Sequence, residues 1–295
     1  MNTQSGYIAI IGRPNVGKST LLNALLGQKI SITSPKPQTT RHNLLGIKTL
    51  ENQQLIFVDT PGLQISPQKA LNRIMNKNAL GLVQDVDVIV FVVEAMQWRD
   101  EDEWVLNRFK NIQIPVILVV NKVDKIVPRE RLLPFLQKMS EKYQFSAICP
   151  LSAKDQDNLN ALELEIIKRL PENDFIFSED QLTDKTERFL VAELIREKLM
   201  LLLGEELPYQ TTVEIEQFAD EETITKISGL IWVERDGQKA IVIGKGGAML
   251  KKVGSQARQD IEKLLDRKVF LQLWVKVKAD WSDNDRSLRQ LGYSE

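Results

Sequence analysis

Short apolar runs alternate with amphipathic stretches from residue 7 to about residue 170. Residues 7–11, 54–58, 86–93 and 115–120 are rich in Val and Ile and show no polar alternation. Runs of this kind are strands buried on both faces, and they predict a mainly parallel sheet with helices on both sides. Residues 43–50, "NLLGIKTL", alternate more and predict an edge strand, and "FSAICPL" at 145–151 reads as one further strand of the domain. Helical periodicity fills 19–26, 100–109, 129–143 and 158–170, the last stopping at Pro171, which cannot continue it. The polar stretch that follows reads as a linker, and beyond it the rhythm changes. A long amphipathic helix begins after Thr186, a suitable N-cap, and ends near Gly204. Strands are predicted at 211–218 and 223–235, a Gly-rich turn at 244–247, a helix at 248–265 and a strand at 269–278. The expected division is 1–172, a linker at 173–186, and a smaller α+β domain at 187–295 with a short C-terminal tail.

Length agrees, because 295 residues are roughly two ordinary domains. Charge is balanced at 39 basic against 40 acidic groups, so no global field draws the chain to nucleic acid or membrane. Any such attraction must be local. The single Cys149, between Ile148 and Pro150, has no partner for an internal disulfide and reads as a buried packing residue in a reducing compartment. The N-terminus lacks the pattern of a signal peptide, and no run approaches the roughly 18 apolar residues of a membrane span. These features set the expectation of a cytoplasmic protein.

Candidate chemistry begins with "GRPNVGKST", residues 12–20, directly after a predicted strand and directly before a helix. Gly12, Arg13, Pro14, Asn15, Val16 and Gly17 form a loop whose backbone N–H groups can converge on phosphate, helped by the positive end of the helix. Lys18 can reach the β and γ phosphates, Ser19 can ligate Mg2+, and Thr20 closes the motif. About a hundred residues later "NKVD" ends another buried strand. Asp124 is an acceptor-only carboxylate that can take the N1–H and 2-amino hydrogens of guanine, a donor pair adenine lacks. Asn121 can tie this turn to the phosphate loop, and the Lys122 stem can lie over the purine. "DTPG" supplies Asp59 for Mg2+ through water, Thr60, Pro61, and the Gly62 N–H for the γ phosphate. "TTRH" offers Thr39 or Thr40 to complete the metal shell, with Thr40 favoured because it precedes Arg41, and "SAK" places Ser152, Ala153 and Lys154 over the base. His42, the only histidine, carries no catalytic assignment.

With these five motifs in order, residues 7–154 resemble the translation-factor-related class of GTPases. The resemblance implies an α/β P-loop G domain that binds GTP and GDP and hydrolyses GTP with Mg2+, with Lys18, Thr40 and Gly62 acting on the γ phosphate. Two loops, near 30–42 and 59–75, would rearrange on hydrolysis. Leu63 stands where Ras-like enzymes carry the Gln that orients water, so it should be withdrawn from the water, and Gln64 lies one place too late. The Asn of "PN" ligates K+ in related GTPases, which extends the metal set Ser19, Thr40 and Asp59 to Asn15.

The second half hides a local charge. From Lys239 to Lys278 there are ten basic and three acidic residues, a net charge of +7, whereas 211–222 holds five acidic residues and no basic one. Within this stretch "IGKGG" lacks both the G-x4-G spacing and a following Ser or Thr, so it is a poor second nucleotide loop. It fits the G-x-x-G of a KH domain: Gly244, Lys245, Gly246 and Gly247 can clamp single-stranded RNA, Lys251 and Lys252 add charge, and Ile241, Ile243, Met249 and Leu250 can frame bases. Residues 205–280 resemble a type II KH domain, and the pairing of both halves resembles the Era family. That resemblance implies 16S ribosomal RNA near its 3′ end and the small (30S) subunit as partners, a role in ribosome biogenesis, a monomer, and peripheral contact with the inner membrane. Two readings of another class stay open. One is a P-loop enzyme of metabolism, against which "NKVD" argues; the other makes the basic domain a dock for protein or anionic lipid.

Overall fold

Each of the apolar runs becomes a strand, and the most continuous of them lie at the centre of a sheet. The computed structural model describes residues 3–65, 67, 69–81 and 85–293. It groups Met1–Ser31, Thr40–Gln68 and Asn72–Asp184 into one compact unit, and Ile32–Thr39, Lys69–Leu71 and Lys185–Glu295 into another. The first carries β1 (Gln4–Ile11), α1 (Lys18–Leu26), β2 (Leu44–Thr49), β3 (Gln53–Asp59), α2 (Ala70–Gly81), β4 (Val88–Glu94), α3 (Asp100–Leu106), β5 (Val116–Asn121), α4 (Leu132–Ser140), β6 (Ala147–Leu151) and α5 (Leu159–Ile167). Its six strands run in the order β2-β3-β1-β4-β5-β6. All neighbours are parallel except the antiparallel edge pair β2 and β3. Every residue of β4 and β5 is buried, as a strand covered on both faces requires. The carboxyl ends of β1, β3, β4, β5 and β6 share one edge, where an open α/β sheet binds its ligands.

The stretch expected as a linker is bound to this unit over much of its length. Gln54 Oε1 accepts from the N–H groups of Ile176 and Phe177 at 2.9 and 3.0 Å, and its Nε2 donates to Phe177 O at 2.9 Å. The Ile47 N–H of β2 donates to Leu182 O at 2.8 Å, so the segment covers the open edge of the sheet. Helix α2 was not among the predicted elements. Its apolar Leu71, Ile74, Met75 and Ala79 hold helical spacing, but three asparagines, Asn72, Asn76 and Asn78, dilute the propensity that would announce it. Cys149 is buried as expected, and burial pushes its thiol up to about 11.

The second unit carries α6 (Glu187–Leu202), β7 (Thr212–Asp220), β8 (Thr225–Val233), α7 (Asp236–Ile243), α8 (Ala248–Leu265), β9 (Val269–Val277) and α9 (Asp285–Gln290). Thr186 caps α6 by accepting from the Phe189 N–H. The sheet order is β7-β8-β9, antiparallel then parallel. Its core joins Val191, Ile195 and Leu199 of α6, Ile227 and Ile231 of β8, and Val253, Ala257 and Ile261 of α8. One helix here was not among the predicted elements. Between β8 and the Gly-rich turn the chain forms α7, whose Gly237 and β-branched Ile241, Val242 and Ile243 look like strand or turn in sequence. Its start is fixed by Gln238, whose Oε1 accepts from the N–H groups of Glu234 and Arg235 at 2.8 and 3.1 Å. The short C-terminal tail is packed against its unit. Trp281 is fully buried, donates to Gln210 O at 3.1 Å and stacks on Tyr293 at 6.0 Å, and Asn284 caps α9.

Candidate functional site

The residues 12–19 form the turn between β1 and α1, so the first N–H groups of α1 face the loop's interior. Lys18 folds back over it, its Nζ donating to Gly12 O and Arg13 O, both at 3.1 Å. Burial pulls this ammonium down to about 8, against the opposing pull of Asp59. A buried ammonium bonded to two carbonyls is matched to an anion, which would favour its charged form. The Arg13 side chain does not join that cradle: it is buried, and its Nε donates to Asp102 Oδ2 at 3.1 Å. Arg13 thus contributes backbone to the loop.

Four hydroxyl and carboxyl groups meet beside Lys18. Ser19 Oγ lies 2.7 Å from Asp59 Oδ2 and 2.7 Å from Thr40 Oγ1. Thr39 is elsewhere, its Oγ1 donating to Lys36 O at 2.7 Å, so of the two threonines only Thr40 reaches the cluster. Sequence reasoning missed the fourth member, Ser31, whose Oγ donates to Asp59 Oδ2 at 2.8 Å. The signal was Asn23, one turn along α1 from Ser19: its Oδ1 accepts from the N–H groups of Ile30 and Ser31 and its Nδ2 donates to Ser31 O, so it clamps the loop. Asp59 is fully buried, burial raises its carboxyl above the ordinary value, and its Oδ1 has no hydrogen-bond partner. An orphaned carboxylate oxygen among hydroxyls, next to a buried lysine, fits Mg2+, with Ser19 and Thr40 as its protein ligands and Asp59 behind a water.

Asn121, at the end of β5, is the joint of the base side. Its Nδ2 donates to Val16 O at 2.8 Å, and its Oδ1 accepts from the N–H groups of Lys122 and Ala153 at 2.8 and 3.0 Å. It therefore ties the phosphate loop, the "NKVD" turn and the "SAK" turn together. Ser152 Oγ donates to Asp124 Oδ1 at 2.7 Å and orients that carboxylate, while Lys154 is exposed. Lys122 Nζ donates to Asn15 O at 2.6 Å and to Glu94 Oε2 at 2.7 Å. Thr60 Oγ1 donates to Ile10 O at 2.8 Å, which pins "DTPG" to β1. Gly62 packs against Pro14 so closely that a Cβ would lie 2.8 Å from its N and Cα. Leu63 is fully buried in the apolar core, and the Gln64 backbone is held by the Asn76 side chain. Within the second expected moving loop, 59–75, Ser66 and Gln68 lie outside the described residues.

On the second unit, Gly244, Lys245, Gly246 and Gly247 connect α7 to α8. Gly244 has φ of +75°, and a Cβ there would meet Met249 at 2.8 Å, so position 244 has no space for a side chain. A groove of about 440 Å³ opens beside it, lined by Gly247, Leu250, Lys251, Gly254, Ser255, Arg258, Leu271 and Leu273. Lys251 lines it; Lys252, though exposed, does not. Of the four apolar residues expected to frame bases, only Leu250 lines the groove. Ile243 and Met249 pack against the core instead, and Ile241 is exposed on α7. Gly254, Ser255 and Arg258 were not singled out from sequence; they follow Leu250 and Lys251 at helical spacing on one face of α8.

Comparisons with known proteins agree with both halves. A family described as 50S ribosome-binding GTPase matches residues 7–122, and the KH domain family matches residues 206–282. The chain is 56% identical to GTPase Era of Coxiella burnetii (strain CbuG_Q212) over 293 residues, 99% of each chain. It is 55% identical to GTPase Era of Pseudomonas entomophila (strain L48), covering 100% of this chain and 98% of that one. Among solved structures, Era in complex with MgGDPNP and nucleotides 1506-1542 of 16S ribosomal RNA has a TM-score of 0.96 at 42% identity, covering 99% of this chain and 100% of that chain. Aquifex aeolicus Era bound to GDP and AlF4- matches with the same score, identity and coverage.

Proposed function

The chain belongs to the Era family of GTPases, enzymes that hydrolyse GTP to GDP and phosphate, and from that premise we propose that it binds the 3′ region of 16S ribosomal RNA and serves small-subunit (30S) biogenesis. One observation carries the reading: a basic groove beside a G-x-x-G turn shares the chain with a joined phosphate, metal and guanine site. The family description names the 50S particle, but the relative solved with RNA holds a segment of 16S RNA over a full-length match, and that favours the small subunit.

In this reading Asp124 takes the guanine edge, Asn121 and Ser152 hold it there, and the Lys122 stem covers the ring. Lys18 and the Gly62 N–H bind the γ phosphate, and Thr40 joins Ser19 on Mg2+, which neutralises phosphate charge when bound. Asn15 is the proposed K+ ligand. With Leu63 buried, the chain supplies no glutamine to orient water, and intrinsic hydrolysis is expected to be slow. On the RNA side, the turn 244–247 clamps the backbone, Lys245, Lys251 and Lys252 balance phosphate, and the groove floor receives bases. Functional limits are proposed at 1–172, 173–186 and 187–295. Among the described residues no helix is long and apolar enough to cross a membrane, so the inner membrane would be met only at its surface, by a monomer.

The test is binding of a single-stranded RNA with the 16S 3′ sequence, against a scrambled one, in GDP and in a non-hydrolysable GTP analogue. Steeply salt-dependent, sequence-selective binding that is lost in Gly244→Asp/Gly247→Asp and stronger in one nucleotide state is expected. Equal affinity in both states would refute the switch. Anionic vesicles binding the chain in place of RNA would favour the lipid-docking alternative.

A further inference from the structure

Two carboxylates outside all the GTPase motifs stand directly behind the nucleotide loops. Glu94 closes β4 and is paired in register with Asn121 of β5; Asp102 lies in the first turn of α3 and is fully buried. Asp102 Oδ2 accepts from Arg13 Nε at 3.1 Å and from the Arg99 N–H at 3.0 Å, so one oxygen anchors both the phosphate loop and the start of α3. Arg13 Nη2 has no hydrogen-bond partner and lies 3.8 Å from Glu94 Oε2. That same Glu94 oxygen accepts from Lys122 Nζ at 2.7 Å, and Lys122 Nζ closes the circuit on Asn15 O at 2.6 Å. Lys125 Nζ reaches the other oxygen of Glu94 at 3.2 Å.

We propose that Glu94 and Asp102 are positioning residues for nucleotide binding, locking the phosphate loop and the guanine loop to one another through Arg13 and Lys122. The circuit runs Asp102, Arg13, Glu94, Lys122, Asn15, and it meets the phosphate loop twice, at Arg13 and at Asn15. Its two loop contacts are of different kinds. Arg13 is held by its side chain and Asn15 by its carbonyl, so the loop is gripped on both sides of Pro14. Lys122 is the residue whose stem is to lie on the purine, and a flexible lysine with four rotatable bonds loses that pose unless its head is fixed. Glu94 fixes it. Burial pushes the Glu94 carboxyl upward, but the bonds from Lys122 and Lys125 outweigh it and keep the group below the usual carboxylate range, so it is charged when the lysine needs it. Buried charge is costly, and a well-packed apolar pair would fill the same space. What an apolar pair would not supply is direction for the lysine head and the loop.

The inference rests on the GTP-binding reading, and the two fail separately. If the full-length wild-type chain does not bind fluorescent mant-GDP, the nucleotide reading itself is wrong. If it does, the variants decide the positioning role. Glu94→Gln should raise the dissociation constants of mant-GDP and of a mant-labelled non-hydrolysable GTP analogue by about tenfold, mostly through the off-rate. The same substitution in a Lys122→Met background should change them by less than about twofold, because the head it positions is gone. The KM for GTP should rise with kcat unchanged, as expected for loss of uniform binding. Asp102→Asn should likewise lose its effect in an Arg13→Gln background, and if Asp102→Asn fails to fold, the cycle at Glu94, on the end of β4, decides alone. A change under about threefold in Glu94→Gln, or an equal loss in both backgrounds, overturns the proposal. So does a fall in kcat at constant KM, which is what a partly unfolded population gives.

Discussion

Replacing Gly62 by Ala should separate GTP from GDP. A Cβ at Gly62 would sit 2.8 Å from Pro14 N and Cα and 2.9 Å from its Cγ, against an ordinary contact of 3.4 Å or more. The obstructing atoms are loop backbone and a proline ring, which cannot swing aside as a long side chain does. The "DTPG" segment must therefore retreat by about 0.6 Å, the shortfall between those distances. An N–H···O bond of about 2.9 Å stretched by that amount is about 3.5 Å long, beyond the useful range. The bond at stake is the one proposed from the Gly62 N–H to the γ phosphate, and a hydrogen bond to a charged group contributes about 1.5–3 kcal/mol. The affinity for a non-hydrolysable GTP analogue should fall about 10- to 150-fold while that for GDP, which lacks the γ phosphate, changes little. Competition of unlabelled nucleotides against mant-GDP measures both at once. Equal losses for GDP and the GTP analogue, or no loss for either, would refute the reasoning.

Asn121→Ala should weaken GDP and GTP analogue alike and lower the unfolding free energy by about 2–5 kcal/mol in urea, because Val16 O and the Ala153 N–H lose their buried partner. Trp281→Ala should destabilise the second unit by about 3–5 kcal/mol, read as faster amide exchange in β7 and α9, whereas exchange at the global average would contradict the packing of that segment. Gly254→Ala should leave RNA binding intact, since its Cβ would rest 3.5 Å from Leu273 Cδ1, but Gly254→Leu should fill the groove and abolish binding with α8 still folded by circular dichroism. Lys245→Gln and Lys251→Gln should each reduce the slope of log affinity against log salt by about 0.7 and weaken matched and scrambled RNA equally. Cys149, with its thiol pushed up to about 11, should resist a thiol-specific reagent at pH 8 until the protein unfolds, and rapid labelling of native protein would contradict its burial.

What was legible in the sequence follows from the range of the interactions involved. The central strands could be read because β4 and β5 are buried along their whole length, and burial on both faces leaves an uninterrupted apolar run. The nucleotide loops were legible because their chemistry needs particular residues at short spacing: Lys18 and Ser19 directly after Gly17, and Asp124 three places after Asn121. The network behind them was not. Asp102 reaches Arg13 across 89 positions, and Glu94 reaches Lys122 across 28, so neither pairing leaves a local pattern. Ser31 escaped for a related reason, since only the clamp by Asn23 brings its hydroxyl to Asp59. Helix α7 was not among the predicted elements because β-branched residues at its end favour strand, and the helix is set by the Gln238 cap rather than by propensity.

The two glycine turns show how one backbone device yields two chemistries. Both precede a helix, and both turn glycine's freedom into close backbone approach. The difference lies in what surrounds them. In the first, Lys18 is buried and folded over the turn, Asn121 closes it from the guanine side, and the helix opens with Ser19 beside an orphaned Asp59 oxygen. A buried lysine with a carboxylate and hydroxyls at the head of a helix suits a terminal phosphate and a metal. In the second, Lys245 is exposed, α8 opens with Ala248 and Met249 in place of a hydroxyl, and the groove runs on past Lys251 to Arg258 along one helix face. A site open along a face, with cations spaced along it and no metal ligand, suits a polymer of phosphates passing through. Placing a Ser at Ala248 would therefore not create nucleotide binding. Ala248 is exposed and does not line the groove, and Ala248→Ser should leave the chain with the single mant-GDP site of the wild type.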